Sequence, residues 1–235
     1  MIKLIVFDLD GTLAELGKGI EPQNLELLRQ LEEAGARIAI CSGKPTYYLC
    51  GLMRQVGLKA PILVGENGAV IQFGVDLPPK DYFVAPYSAG AKRSLRLIRN
   101  MLEDVAPDMW YQPNEVGLTP FPSNEAGFDV IQSCLDTLAP QLEDLIIYRH
   151  CDCFDIMPNG ITKKSGLERL SKLIGISAEE TAAVGDGVND YPMFAYAGHA
   201  VGVSVKDESR VDVNFAGIAE ALKYLIDRVN WEKEA

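Results

Sequence analysis

The feature that most constrains this chain is an alternation of short apolar runs with amphipathic stretches. Residues 2–7 are apolar except for Lys3, as expected of a strand covered on both faces. Residues 22–34 predict a helix: Pro22 suits its first turn, Leu25, Leu28 and Leu31 share one face, and Gly35 suits its end. Residues 37–41 read as a second strand. Pro45 opens a second helix that Gly57 closes, and residues 62–64 form a third strand. The order β-α-β-α-β predicts an α/β fold with a doubly wound, parallel, Rossmann-like sheet.

The rhythm changes over residues 83–154. A helix fits 89–105, with Leu95, Ile98 and Leu102 on one face. Strands fit 109–112 and 116–121, a helix 126–138, and two further strands 145–148 and 153–157. This αββαββ series predicts an inserted α+β domain with its own core. The α/β rhythm then returns: a helix at 164–173, a strand at 182–184, a short helix from Asp190, a strand at 200–203 and a last helix at 215–229. The predicted core is therefore discontinuous, 1–82 plus 155–235.

In a parallel sheet, ligands bind beyond the carboxyl ends of the strands, and four polar clusters fall there. Asp8 and Asp10 follow strand one, Ser42-Gly43-Lys44 follows strand two, Lys163 opens the helix after the insert, and Gly185-Asp186-Gly187-Val188-Asn189-Asp190 follows the 182–184 strand. Asp8, Asp186 and Asp190 offer hard oxygen ligands and no imidazole, a set that suits Mg²⁺ rather than zinc or copper. A lysine and a hydroxyl beside them suit a phosphate. One carboxylate can attack phosphorus to form an aspartyl phosphate. A second, two residues on, is expected on the same side of an extended chain, where a raised pKa would let it act as acid and then base.

These motifs, Asp8-Leu9-Asp10-Gly11-Thr12-Leu13, Ser42, Lys163 and the 185–190 stretch, resemble in order those of the haloacid dehalogenase superfamily of phosphotransferases. The insert resembles that superfamily's type IIB cap, which closes over the core and chooses the leaving group. The resemblance implies Asp8 as nucleophile and Mg²⁺ ligand, and Asp10 as general acid/base that also gives its carbonyl to the metal. It implies Thr12 and Ser42 on the phosphoryl oxygens, with Gly43, Lys44 and Asn189 also binding phosphate or substrate. Lys163 offsets developing charge, Asp186 ligates Mg²⁺, and Asp190 orients Lys163 or completes the metal shell. Two departures stand out. Lys163 is followed by Lys164, not Gly, which leaves Lys164 as the fallback. Lys44 stands where many sugar-phosphate relatives place an arginine, whose planar bidentate contact lysine cannot make.

The implied activity is a Mg²⁺-dependent phosphatase for a small phosphorylated metabolite, phosphoglycolate or a sugar phosphate. A phosphomannomutase-like phosphotransferase is the alternative, and a non-enzymatic phospho-aspartate signalling domain a third, against which Asp10 and the insert argue. Candidate cap contacts are Phe121, Arg149 and the loops at 113–115 and 122–125. The chain is expected to act as a monomer or homodimer.

Composition narrows the partners. A net charge of −11 over 235 residues argues against nucleic-acid or anionic-membrane surfaces. No apolar run approaches a membrane span. The apolar start is too short for a secretory leader, and five scattered cysteines suit free thiols in a reducing cytoplasm. His150-Cys151-Asp152-Cys153 has no zinc-site spacing, and His199 reads as structural. Glu66-Asn67-Gly68 reads equally as a hairpin turn or as a loop near the substrate. Tyr47, Tyr48 and Leu49 fit the face of a buried helix as well as any pocket.

Overall fold

The computed structural model describes residues 1–234, with side chains through residue 229. In chain order it builds β1 (Leu4–Phe7), α1 (Pro22–Glu33), β2 (Arg37–Cys41), α2 (Thr46–Val56), β3 (Ile62–Gly65), β4 (Val70–Phe73) and β5 (Asp81–Val84). Then come α3 (Ala89–Val105), β6 (Trp110–Gln112), β7 (Thr119–Phe121), α4 (Glu125–Leu138), β8 (Leu145–Arg149) and β9 (Phe154–Pro158). The chain ends with α5 (Lys163–Ile174), β10 (Thr181–Gly185), α6 (Tyr191–Phe194), β11 (His199–Val203), β12 (Val213–Phe215) and α7 (Ile218–Glu234).

Two compact units result, one from residues 1–83 with 162–235 and one from 84–161. The second boundary falls later than the sequence places it. β9 pairs along its whole length with β8, so residues 155–158 go with the insert.

The first unit holds an eight-stranded sheet in the order β12-β11-β10-β1-β2-β3-β4-β5. The six strands from β12 to β3 run parallel, and β4 turns back antiparallel to β3. Strand order reverses between β1 and β10, which makes their carboxyl ends the switch point where such sheets bind ligands. The central strands are covered on both faces. Ile5 and Phe7 pack in the layer with Leu28, Leu49 and Leu222, while Leu4 and Val6 pack with Leu167, Leu170 and Phe194. That two-sided burial explains why β1 reads as a continuous apolar run.

Three strands escape the sequence reading: β4, β5 and β12. β5 is exposed along its length and β12 is three half-buried residues, so neither shows the longer apolar run of a strand covered on both faces. The helix expected from 215 starts at Ile218, because 213–215 pair with β11.

The second unit pairs β6 with β7 and β8 with β9, both antiparallel, and reciprocal bonds between Leu118 and Ile156 join the pairs. Its core sets Ile98 and Leu102 of α3, with Phe128 and Ile131 of α4, against Leu118, Phe154 and Ile156. This is the αββαββ unit expected. β7 is shorter than expected, because Val116 to Leu118 lie outside the ladder with β6.

Candidate active site

Asp8 is the first residue beyond β1. Its N–H still donates to Val184 O (2.9 Å), so the ladder with β10 fixes its backbone, and its side chain is buried. On the far side of that ladder β10 ends at Gly185 and delivers Asp186 and Asp190 to the same spot. The three carboxylates bring one oxygen each within 4.8 Å of one another.

Lys163 holds two of them. As the first residue of α5, with Thr162 as N-cap and Ser165 returning the bond, it is buried. Its Nζ donates to Asp8 Oδ1 (2.6 Å) and Asp190 Oδ1 (2.7 Å). Lys164 is exposed and pairs instead with Glu168 at 3.9 Å. The Thr162–Ser165 capping box is the local signal that decides which lysine turns inward.

Asp190 is fully engaged. Its other oxygen accepts from the backbone N–H groups of Asp186 (3.0 Å) and Gly187 (3.2 Å). Thr12 Oγ1 lies 3.0 Å from Asp186 Oδ1 and 3.3 Å from Asp8 Oδ2, and its one proton serves one of them at a time. Gly11 makes this approach feasible: its φ is +92°, and a Cβ there would sit 2.5 Å from Asp186 Oδ2.

Asp10 lies in a turn beyond the strand rather than on an extended continuation of it. β1 stops at Phe7, and residues 9–14 close a tight loop through Ala14 N to Leu9 O and Gly11 N to Ala14 O. Asp10 is half-buried and meets Lys44 Nζ at 3.7 Å. Ser42 is buried in the loop after β2, where its Oγ accepts from Lys44 N (3.2 Å) and Gly43 lies between them. That loop is braced by the 3₁₀ turn at Glu66–Gly68. Glu66 N donates to Lys44 O and Asn67 N to Ser42 O, each at 3.0 Å. The turn therefore both links β3 to β4 and supports the Ser42–Lys44 loop, and the brace runs through backbone groups that no residue type announces. Asn189 is exposed beside Gly187, in the turn between Asp186 and Asp190.

Burial dominates the electrostatics. It pushes the Asp8 carboxyl up to about 7; Lys163 opposes the rise and the Asp190 charge adds to it. Burial and the Asp190 charge also raise Asp186. Burial alone would lower Lys163, but Asp8 and Asp190 outweigh it and move its pKa upward. The Cys41 thiol beside them is pushed up to about 12 by burial and stays protonated. Three carboxylates thus face one ammonium. The excess negative charge and the hard oxygen donors fit a divalent cation.

The remaining candidates lie elsewhere. Arg149 sits over the Phe128 and Phe154 rings at 4.9 and 5.8 Å, and Phe121 packs edge-on to Trp110 at 5.0 Å. Cys151 and Asp152 form the turn between β8 and β9 rather than part of a strand, and His150 pairs with Asp155 at 3.3 Å. His199 opens β11, half-buried. Tyr47 and Tyr48 are exposed on α2, while Leu49 is buried. All five cysteines are free thiols. Among the described residues, no helix is long and apolar enough to cross a membrane.

Known proteins share this plan. A phosphoglycolate phosphatase of Methanococcoides burtonii is 24% identical over 211 residues, covering 90% of this chain and 87% of its own. A 5-amino-6-(5-phospho-D-ribitylamino)uracil phosphatase of Bacillus subtilis is 24% identical over an alignment covering 85% and 87%. The solved structure of a subclass IIB sugar phosphatase superposes with a TM-score of 0.70 at 21% identity, covering 94% of this chain and 98% of its own. The profile of the haloacid dehalogenase-like hydrolases matches residues 5–81 and 125–212, well over half of the sequence, and the chain belongs to that family.

Proposed function

We propose that this hydrolase is a Mg²⁺-dependent phosphatase of a small phosphorylated metabolite, working through an aspartyl phosphate on Asp8. The observation that carries the reading is the buried Lys163 shared between Asp8 and Asp190 (2.6 and 2.7 Å), next to Asp186 and Thr12. An attacking carboxylate oxygen, a fixed cation and a hydroxyl donor meet there on strand ends.

In this reading Asp8 Oδ2 attacks phosphorus while Lys163 holds Oδ1. The P–O bond to the organic group breaks, and Asp10 gives that oxygen a proton. Asp10 then takes a proton from water, whose oxygen attacks phosphorus. Phosphate leaves and the Asp8 carboxylate is restored. Thr12 and Ser42 steady the phosphoryl oxygens, and Lys44 holds Asp10 in place. Asp8 and Asp186 would hold the Mg²⁺ ion, with Asp190 bracing Lys163 and the 186–187 amides. Bound there, the ion neutralises charge on the transferring phosphoryl group. The second unit would select the organic part of the substrate.

Two similar proteins at the same 24% identity are named for different phosphate esters, so likeness alone does not pick the substrate. Phosphoglycolate and sugar phosphates head the panel. Phosphate release would be measured from both, and from an aryl phosphate, with and without Mg²⁺. Mg²⁺-dependent release that Asp8→Asn abolishes is expected. No release from any ester by folded protein would overturn the reading. Interconversion of hexose phosphates without net release would point to phosphoryl transfer instead.

A further inference from the structure

The outer edge of β8 is built to pair with another strand. β8 is the terminal strand of its sheet, and among the described residues it pairs with β9 alone. At both ends of that ladder the bonds fall on even-numbered residues of β8 and its flanks: Asn159 N to Asp144 O (2.7 Å) and His150 N to Cys153 O (2.9 Å). Antiparallel bonding alternates, so the even residues face β9. Leu145, Ile147 and Arg149 therefore turn their N–H and C=O groups outward.

Arg149, at one end of the strand, is the only charged residue on this edge. The strand has no proline, no lysine and no bulge. Ile147 and Tyr148 are 38% and 40% exposed, large values for apolar side chains on adjoining strand positions. Beside the edge, between β8 and α4, runs a groove of about 480 Å³ lined by Leu135, Ile147 and Phe154, with the carboxylates of Asp136 and Asp144.

We propose that the occupant is a second copy of this chain, joined β8 to β8 about a two-fold axis through Ile147. An antiparallel register centred there sets Ile147 opposite itself and Leu145 opposite Arg149. Every outward N–H then meets an outward C=O. On the helix-covered face, the two Ile147 side chains meet, and Arg149, stacked over Phe128 and Phe154 of its own chain, stands opposite Leu145 of the other copy. That places a guanidinium near the acidic end of the groove, at Asp136 and Asp144 of the other copy. On the opposite face, Tyr148 lies across from Ile146 of the other copy. One strand thus supplies both halves of a closed, self-complementary contact, as two-fold symmetry requires. Shifting the register by one residue would oppose bonded to unbonded backbone groups.

The contact is small, so the association is expected to depend on concentration. Sedimentation equilibrium should show the mass moving from the 25.7 kDa of one chain toward twice that value as concentration rises to about 100 μM. Ile147→Lys, which sets like charges face to face on the axis, should return a single-chain mass with an unchanged circular dichroism spectrum. The register has its own test. In a Cys151→Ser background, Ile147→Cys should form an intermolecular disulfide under mild oxidation, because directly opposed bonded residues lie about 5.5 Å apart. Ile146→Cys, off the axis, should cross-link far less. A single-chain mass at all concentrations would overturn the proposal. So would a dimer that survives Ile147→Lys, or equal cross-linking at both positions.

Discussion

Lys163 Nζ stands between Asp8 Oδ1 at 2.6 Å and Asp190 Oδ1 at 2.7 Å, joining the end of β1 to the loop after β10. Remove the ammonium and two buried carboxylates face each other with no counter-charge. Lys163→Ala should lower kcat/KM by about 10³-fold or more. Lys164→Ala, which frees only the exposed partner of Glu168, should stay within about twofold. Steady-state kinetics on the two variants decide between the lysines, and comparable losses would contradict the assignment.

Stability should depend on pH through Asp8. Its carboxyl is raised from 3.8 to about 7, so between those values the folded state binds more protons than the unfolded chain. The stability of the metal-free protein should therefore fall as pH rises through that window. In Asp8→Asn the slope should flatten, by about 1 kcal/mol or more across the window, or about 2–4 °C in Tm. Thermal melts in chelator at pH 5 and pH 7 give the comparison. Equal slopes in both proteins would refute the cause.

Divalent metal should reverse that trend. Chelation should stop phosphate release, and added Mg²⁺ should restore it and raise Tm at pH 7 by mass action on the folded state. Asp186→Asn should weaken both effects together. Activity that persists in excess chelator would remove the metal from the scheme.

Gly11 is expected to tolerate no side chain. Gly11→Ala puts a methyl group at a φ of +92° and 2.5 Å from the Asp186 carboxylate. The loop must shift, so Mg²⁺ affinity and kcat/KM should each fall by about tenfold or more, while the sheet stays folded. Metal titration followed by Tm separates the two effects. Wild-type metal affinity in this variant would show that the close approach has no functional weight.

Lys44 should matter in proportion to the leaving group. Its ammonium, 3.7 Å from Asp10, steadies the carboxyl that protonates the departing oxygen. Lys44→Met should slow cleavage of an alkyl phosphate by about tenfold and of an aryl phosphate much less. Equal losses on both esters would assign Lys44 to binding alone.

The alternation of apolar runs was legible because β1, β2, β3 and β10 are buried on both faces and, apart from Arg37 and Thr181 at the starts of β2 and β10, keep no polar positions. β5 and β12 were not, since exposed or half-buried edge strands lack that pattern. The carboxylates, Ser42 and Lys163 could be found because each follows directly on a strand or opens a helix. β1 ends at Phe7, so Asp10 sits in a tight loop rather than on a strand, and its ion pair with Lys44 carries no signature in the sequence. The backbone brace from Glu66 and Asn67 was invisible in outline, because N–H groups carry no residue identity.

The pairing of β1 with β10 also sets an order of events during synthesis. Leu4 lies beside Thr181 and Phe7 beside Val184, so partners in adjacent strands are separated by most of the polypeptide. Closing so long a loop comes late and slowly, after local helices and hairpins have formed. During synthesis Asp8 is made well before its lysine, at residue 163, and its neighbouring carboxylates, at residues 186 and 190. The charge cluster therefore cannot assemble until β10 and the loop after it have been made.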